Sequence, residues 1–349
     1  MFLKIKYYNL NLKAVYIFLC FLWAVEGKAQ ADSIQFKSYT DKVMIRANLD
    51  TNIESYIVSD GRHKNAEQTI LSINNKTKTS LSIDYRIISA TLSFTPRFMP
   101  GNNDDAQRGS SSYSDLTFRF FPKRFTQTLY YKKVKGFYIE NMKDFVPDWQ
   151  EGRDPYLQFP DLKIQSFGGS TAYVLNKNFS LKSIYTQGEW QKKSSGSWVP
   201  FLDYDLTIFS NIIDDQPSKE IQYNFGASMG YFYNWVIGKK VNISPYLSLG
   251  LGGKLTSFRD TLDDGTKAPK ENAQYVTMKF TGGLHIGYNT DRFLFGGKMN
   301  FKAYTYDEKN NQTVENNNLY GLLYIGYRFA PPKVVKRNYD KLQKKIPVL

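Results

Sequence analysis

The chain has one cysteine, two histidines and no apolar run long enough to cross a bilayer as a helix. A single thiol cannot close an internal disulfide, and Cys20 lies in a segment expected to be removed, so no thiol chemistry remains. His63 and His285 alone offer little to zinc, haem or iron–sulfur ligation, and neither a metal nor a cofactor is expected. The most apolar stretch, residues 14–25, is twelve residues long, against the roughly 20 that a membrane helix needs. Sustained helical periodicity is equally scarce. What the chain does have is 26 Tyr and 25 Phe among 349 residues, with a mean hydropathy of -0.46 and a net charge of +14. So many aromatics in so polar a chain need a special environment.

Lys4, Lys6 and Lys13 precede the apolar run, and Ala29-Gln30-Ala31 follows it with a small-x-small pattern. Residues 1–31 therefore read as a secretory signal peptide, cleaved before Asp32 after export through the Sec pathway. A basic, aromatic-rich chain would otherwise suit nucleic acid, but export excludes that partner. The positive charge then faces something anionic outside the cytoplasm: lipopolysaccharide phosphates, peptidoglycan or an acidic solute.

The remainder alternates with a period of two. From Val241 to Thr256 one face carries Val241, Ile243, Leu247, Leu249, Leu251 and Leu255, and the other Asn242, Ser244, Ser248, Lys254 and Thr256. Successive side chains of a strand point to opposite faces, so one face is apolar and the other polar or small. Residues 221–235, 275–289, 292–304 and 319–329 repeat the pattern. These runs exceed the ~5 to 6 residues usual in soluble strands and suffice for the ~9 to 11 tilted residues of a membrane strand. Aromatics gather near their ends, at Tyr231, Tyr233, Trp235, Tyr288, Tyr327 and Phe329, as expected where a barrel wall meets headgroups. The expected fold is all-β, an antiparallel transmembrane β-barrel of about twelve strands, within a range of ten to fourteen, in the outer membrane of a Gram-negative cell.

Seven further strands are expected at 81–87, 88–98, 113–122, 125–139, 162–175, 179–191 and 198–209. This set carries a defect. Long connections should fall after every second strand, and residues 141–160 break the phase, so either one strand is misplaced or one long connection lies on the periplasmic side. Lys132, Lys133 and Lys135 also occupy both faces of one expected strand. The resulting division is an extended arm over 32–75, a barrel over 76–330 and a basic tail over 331–349. Short strands at Val43-Met44-Ile45 and Tyr56-Ile57-Val58 would plug the lumen or lie in the periplasm. The tail, with six basic residues from Lys333 to Lys345, reads as a solvated extension or as a contact to peptidoglycan or a periplasmic partner.

Tyr130-Tyr131-Lys132-Lys133-Val134-Lys135-Gly136-Phe137-Tyr138, Tyr173-Val174-Leu175-Asn176-Lys177-Asn178-Phe179-Ser180 and Gln191-Lys192-Lys193-Ser194-Ser195-Gly196-Ser197 carry a further signal. Together they resemble an uncharacterised family of Bacteroidota outer-membrane barrels, a domain of unknown function, over about residues 41–329. The resemblance implies a barrel and an outer-membrane location, and no activity.

Chemistry is sparse. A barrel that hydrolyses lipid needs Ser and His where a lipid chain reaches them, whereas His285 alternates with Leu284 and Ile286 and so faces the lumen. His63 sits in the polar arm with no evident partner. No catalytic residue is assigned. Asn102-Asn103-Asp104-Asp105 and Asp263-Asp264-Gly265 lack the alternating oxygen ligands of a calcium loop and read as turns. The run Lys192 to Ser197 reads as a polar hairpin loop rather than a phosphate nest. Asp203 and Asp205 share an inner face, and Arg97, Arg119, Lys254, Lys279, Lys298, Lys302 and Arg328 fall on inner faces as well. In a narrow barrel such charges form a salt-bridged core. In a wider one they set ion selectivity. Inward Phe232, Tyr246 and Tyr304 tip the balance to a filled lumen. Three functional classes follow: a structural or accessory barrel with an occluded lumen, a small-solute diffusion channel preferring anions, and a lipid-modifying enzyme.

Overall fold

The structure is a computed structural model that describes residues 35–51, 55–59, 68–213, 216–259, 266–308 and 312–346. The expected signal peptide, His63 and the Asp263-Asp264-Gly265 turn lie outside the described residues. In chain order the strands begin with β1 (Phe36–Ser38), β2 (Val43–Asp50), β3 (Ser55–Ser59), β4 (Gln68–Ser72), β5 (Lys78–Tyr85) and β6 (Ile88–Phe94). They continue with β7 (Ser112–Phe120), β8 (Phe125–Ile139), β9 (Gln158–Tyr173), β10 (Glu189–Gln191) and β11 (Ser195–Ile213). The last are β12 (Gln216–Ile237), β13 (Val241–Arg259), β14 (Glu271–Asn289), β15 (Phe293–Glu308) and β16 (Gln312–Phe329). The helices are α1 (Asp105–Arg108), α2 (Lys182–Tyr185) and α3 (Lys333–Lys345).

Twelve strands close a ring in the order β2, β5, β6, β7, β8, β9, β11, β12, β13, β14, β15, β16 and back to β2, every pair antiparallel. Closure leaves no sheet edge, which is what hydrocarbon requires of a spanning sheet. The outward face is apolar: Leu249 and Leu251 are each 62% exposed, and Leu323, Ile325 and Val276 are as open. Exposure on this scale is costly in water and natural in lipid. The inward face of the same strands carries Ser, Asn, Lys and Tyr. Outward aromatic pairs ring one end of the wall, Trp198 with Tyr231, Tyr288 with Phe295 and Phe293 with Tyr327, at centroid separations of 4.7 to 5.1 Å. Such a girdle marks a headgroup level.

That end, the terminal end, also holds the start of β2, the finish of β16 and the tight turns 86–87, 121–124, 238–240 and 290–292. The opposite loop end holds the β3–β4 hairpin, α1 and the connection 140–157. The hairpin pairs with the end of β8, and Tyr56 sets its ring 5.8 Å from those of Phe137 and Phe209. A bulge at Gly136, whose φ is +82°, re-aims β8 there, and a Cβ at that position would fall 2.1 Å from the Ser110 carbonyl oxygen.

The expected strand at 179–191 is not part of the wall. Residues 174–194 leave β9 at the terminal end, form α2 and β10, and return to β11. Their alternation is real but answers to a different core, where Phe179, Leu181 and Ile184 pack with Val174, Val199 and Phe232. The missing wall strand is β2, in the expected extended arm: Ile45, Ala47 and Leu49 face outward, and Met44, Arg46, Asn48 and Asp50 face inward. Removing one strand and adding the other keeps the total at twelve and repairs the loop phase, since connection 140–157 falls at the loop end. One smaller correction follows: β6 ends at Phe94 rather than 98. The largely exposed tail carries α3. Of the lysines on both faces of β8, Lys132 lines the inner cavity, and Lys135, at the loop end, pairs with Asp161 at 3.2 Å.

Candidate functional site

Inside the wall the described residues lie at two levels. At the terminal end the segment 174–194 turns inward, and β1 pairs with its β10. Gln187, fully buried, accepts a side-chain hydrogen bond from Arg46 on β2. Its backbone carbonyl accepts another from Arg328 Nη2 on β16 at 2.6 Å. On the far wall Asn234 of β12, also fully buried, donates to Ser183 Oγ at 2.8 Å and to the Ser180 carbonyl at 3.1 Å. Its own Oδ1 accepts from Ser244 of β13 at 2.6 Å. β2 and β12 stand five places apart in a twelve-strand ring, on nearly opposite walls. The segment is thus held across the lumen's width by buried polar groups that would each be costly to leave unmade.

Arg328 is held by several groups at once. It donates to Asn289 Oδ1 at 2.6 Å and the Thr290 carbonyl at 2.8 Å, and its guanidinium lies 3.8 Å from the centre of the Tyr39 ring. Lys298 reaches the Tyr185 carbonyl at 3.4 Å, and Arg46 comes within 3.9 Å of Asp84. His285 is 1% exposed, with Nε2 2.7 Å from the Tyr324 hydroxyl. Neither a lipid chain nor bulk water reaches it there. Just outside the wall, Lys37 of β1 meets Asp291 in the β14–β15 turn at 2.5 Å. The hydrogen bond from Lys37 holds the Asp291 carboxyl below its ordinary range, and the same bond raises the lysine.

Towards the loop end the lumen opens into a cavity of about 920 Å³. Its lining includes Lys132, Lys254, Lys279 and Lys302 against Asp203, Asp205, Glu220 and Glu271. Lys279 pairs with Asp203 at 2.8 Å. Asp205 accepts from Asn224 at 2.6 Å and from the Tyr130 hydroxyl at 2.9 Å. Tyr130 crosses β9 to reach it, over Gly168, where a Cβ would fall 2.5 Å from the phenolic oxygen.

The residues expected inside therefore divide. Asp203, Asp205, Lys254, Lys279 and Lys302 line the cavity, and His285, Lys298 and Arg328 lie at the level of the inward segment. Arg119 pairs in register with Ser89, on the same face as Asp84. Arg97 is a correction: it stands beyond the end of β6, exposed, paired with Asp105 at 3.2 Å and donating to Ser110. Arg46 and Asn234 hold the inward segment, the former through Gln187, and the sequence alone does not single out these three. The signal for Arg46 was present, because it interrupts the alternation Val43, Ile45, Ala47, Leu49 only on the inner face. Gln187 had none, since only the fold brings it to the wall. The expected turn at Asn102 is stapled by its side chain, which accepts from the backbone of Lys76 and Thr77 and donates to the Thr77 and Pro96 carbonyls.

The profile of a family described as a domain of unknown function, DUF4421, matches residues 30–329. Curated protein sequences return no match. Among solved structures, similarity extends to an outer membrane channel from Pseudomonas putida F1, at 12% identity and a TM-score of 0.36, covering 86% of this chain and 100% of that one. The ferric yersiniabactin uptake receptor of Yersinia pestis follows at 9% and 0.27, covering 82% and 44%. OmpT of Vibrio cholerae, an outer membrane protein in trimer form, follows at 11% and 0.21, covering 82% and 99%. Likenesses this distant assign no solute and no activity to the present barrel.

Proposed function

This chain belongs to the DUF4421 family, a domain of unknown function, and for this member we propose an accessory outer-membrane barrel with an occluded lumen. The apolar exterior supports the bilayer location. The uneven connections support its orientation, because outer-membrane barrels carry short turns on the periplasmic side and long loops outside. The terminal end is then periplasmic, and export proceeds through the Sec pathway by the cleaved leader. Outer-membrane lipid and lipopolysaccharide surround the wall.

One observation carries the occluded lumen: the inward segment is tied to Arg46 on one wall and to Asn234 on the nearly opposite one, and both Asn234 and the segment's Gln187 are fully buried. What remains above it is a polar cup open to the loops, not a path through the membrane. A diffusion channel with an anion preference draws support from the cations at the level of the segment, Arg46, Lys298 and Arg328, which its displacement would bare. The cup itself favours neither sign, since the four lysines named above face four carboxylates.

The test is the accessibility of Ser183→Cys, a small change at a buried position, in the Cys20→Ser chain folded into vesicles. A charged, membrane-impermeant thiol reagent is expected to modify it far more slowly than a cysteine at exposed Lys193. Equal rates at both positions would refute an occluded lumen.

A further inference from the structure

We propose that α3 is an interfacial anchor, lying against the membrane surface at the terminal end with its apolar stripe at the acyl boundary and its basic face on anionic headgroups. The inference rests on the reading of the barrel as membrane-spanning.

The helix does not project away from the barrel. It leaves β16 through Ala330-Pro331-Pro332 and runs round the rim to the β5–β6 turn, two places along the wall. Arg86 in that turn holds it, donating to Asp340 at 2.7 Å and Gln343 at 2.8 Å, with its guanidinium 4.7 Å from the centre of the Tyr339 ring. Tyr339 in turn meets the Tyr85 ring edge-on at 5.3 Å.

This contact places α3 on the outer side of the wall. Tyr85 follows outward Ile83 and inward Asp84, so it belongs to the lipid-facing set. Val43, paired in register with both Tyr85 and Phe329, belongs to that set too. It is only 3% exposed, whereas Ile45 on the same face is 47% exposed. The wall is therefore covered at this outward position, and α3, packed on the neighbouring Tyr85, is placed to cover it. The site is at the level of the aromatic girdle formed by Phe293 and Tyr327, where wall meets headgroups.

At 100° per residue, Val334, Val335 and Leu342 fall on one arc of the helix, and Ile346 follows directly on its C-terminal end. All four are exposed, Val334 at 57% and Leu342 at 40%. Lys333, Lys336, Arg337, Lys341 and Lys344 occupy the other side, Lys345 in the last turn falls within the apolar arc, and Asp340, the one acid of the helix, is taken by Arg86. A helix with an apolar stripe and a lysine-rich face has the composition of an in-plane membrane helix. A purely aqueous partner such as a peptidoglycan strand would take the basic face and leave the valines and Leu342 in water. A lipid surface satisfies both faces, and it is continuous with the lipid already covering the wall.

The test uses the full chain with Cys20→Ser and one new cysteine, Leu342→Cys or Lys341→Cys, carrying an environment-sensitive fluorophore. Each is folded into phosphatidylcholine vesicles with or without phosphatidylglycerol, and heat-modifiable gel mobility confirms the barrel independently. The Leu342 label is expected to emit to the blue of the Lys341 label and to be quenched by bromine placed high on the acyl chains. Phosphatidylglycerol should strengthen that quenching, and Lys336→Glu with Lys344→Glu should abolish the lipid dependence. A Leu342 label that reports water in both compositions overturns the proposal. So does one that changes only when peptidoglycan sacculi are added. Loss of the heat-modifiable band would instead indict the barrel reading itself.

Discussion

Arg328 and Gln187 are joined by a 2.6 Å hydrogen bond from the guanidinium of the last wall strand to the backbone of the inward segment. The same guanidinium also satisfies Asn289 and the Thr290 carbonyl. Arg328→Met keeps much of the bulk and strands these acceptors, each worth about 1–3 kcal/mol when left unpaired in the interior. The variant is expected to unfold at lower urea than the parent chain in the same vesicles and to gain reactivity at Ser183→Cys.

Asn234 and Trp235 are neighbours with opposite duties. Asn234→Leu removes hydrogen bonds to Ser183, Ser180 and Ser244 and should cost about 1–3 kcal/mol in a urea titration. Trp235→Leu replaces one lipid-facing apolar side chain, 55% exposed, by another and should cost less. The reverse order would place the segment's anchor elsewhere.

Met229 and Ser228 make a second adjacent pair, one outward and one lining the cavity. Met229→Arg puts a charge into lipid and should destabilise the barrel by about 2–4 kcal/mol near the bilayer midplane. Ser228→Arg enters the aqueous cup and should cost much less. Folding yield into vesicles against urea reads the difference.

The pH response of the β1 tether follows from Lys37 and Asp291. The carboxyl is held below its ordinary 3.8 chiefly by the Lys37 hydrogen bond, so its contribution is fully present above that value and is lost as pH falls through the depressed one. The lysine is raised above 10.5 by the same bond, so its share is present below that and lost as pH rises through the raised value. Protease cleavage of the chain before β2 should therefore be flat from mildly acid to mildly alkaline pH. Asp291→Asn should speed it throughout that range.

Strands β12 to β16 are legible in the sequence because lipid and lumen differ sharply, and residues such as Leu249 and Lys254 report which side they face. The segment at 179–191 misleads for the same reason. Phe179 and Leu181 alternate with Ser180 and Lys182 because they separate a small core from polar partners, and period two does not say which core. β2 is short, and its inner Arg46 breaks the look of a membrane strand until the partners Gln187 and Asp84 are placed. Arg97 shares a parity with inner residues, yet parity means nothing once β6 has ended at Phe94. Long-range pairings such as Asn234 with Ser183 are set by closure of the ring, which no local pattern encodes.

The proposed closure of the lumen by the segment 174–194 is tested most directly by planar-bilayer conductance of the folded chain, beside a variant in which residues 176–193 are replaced by a short Asn-Gly turn. Silence is expected from the parent chain and stepwise openings from the variant. Stepwise openings of the same size from both would overturn the closure.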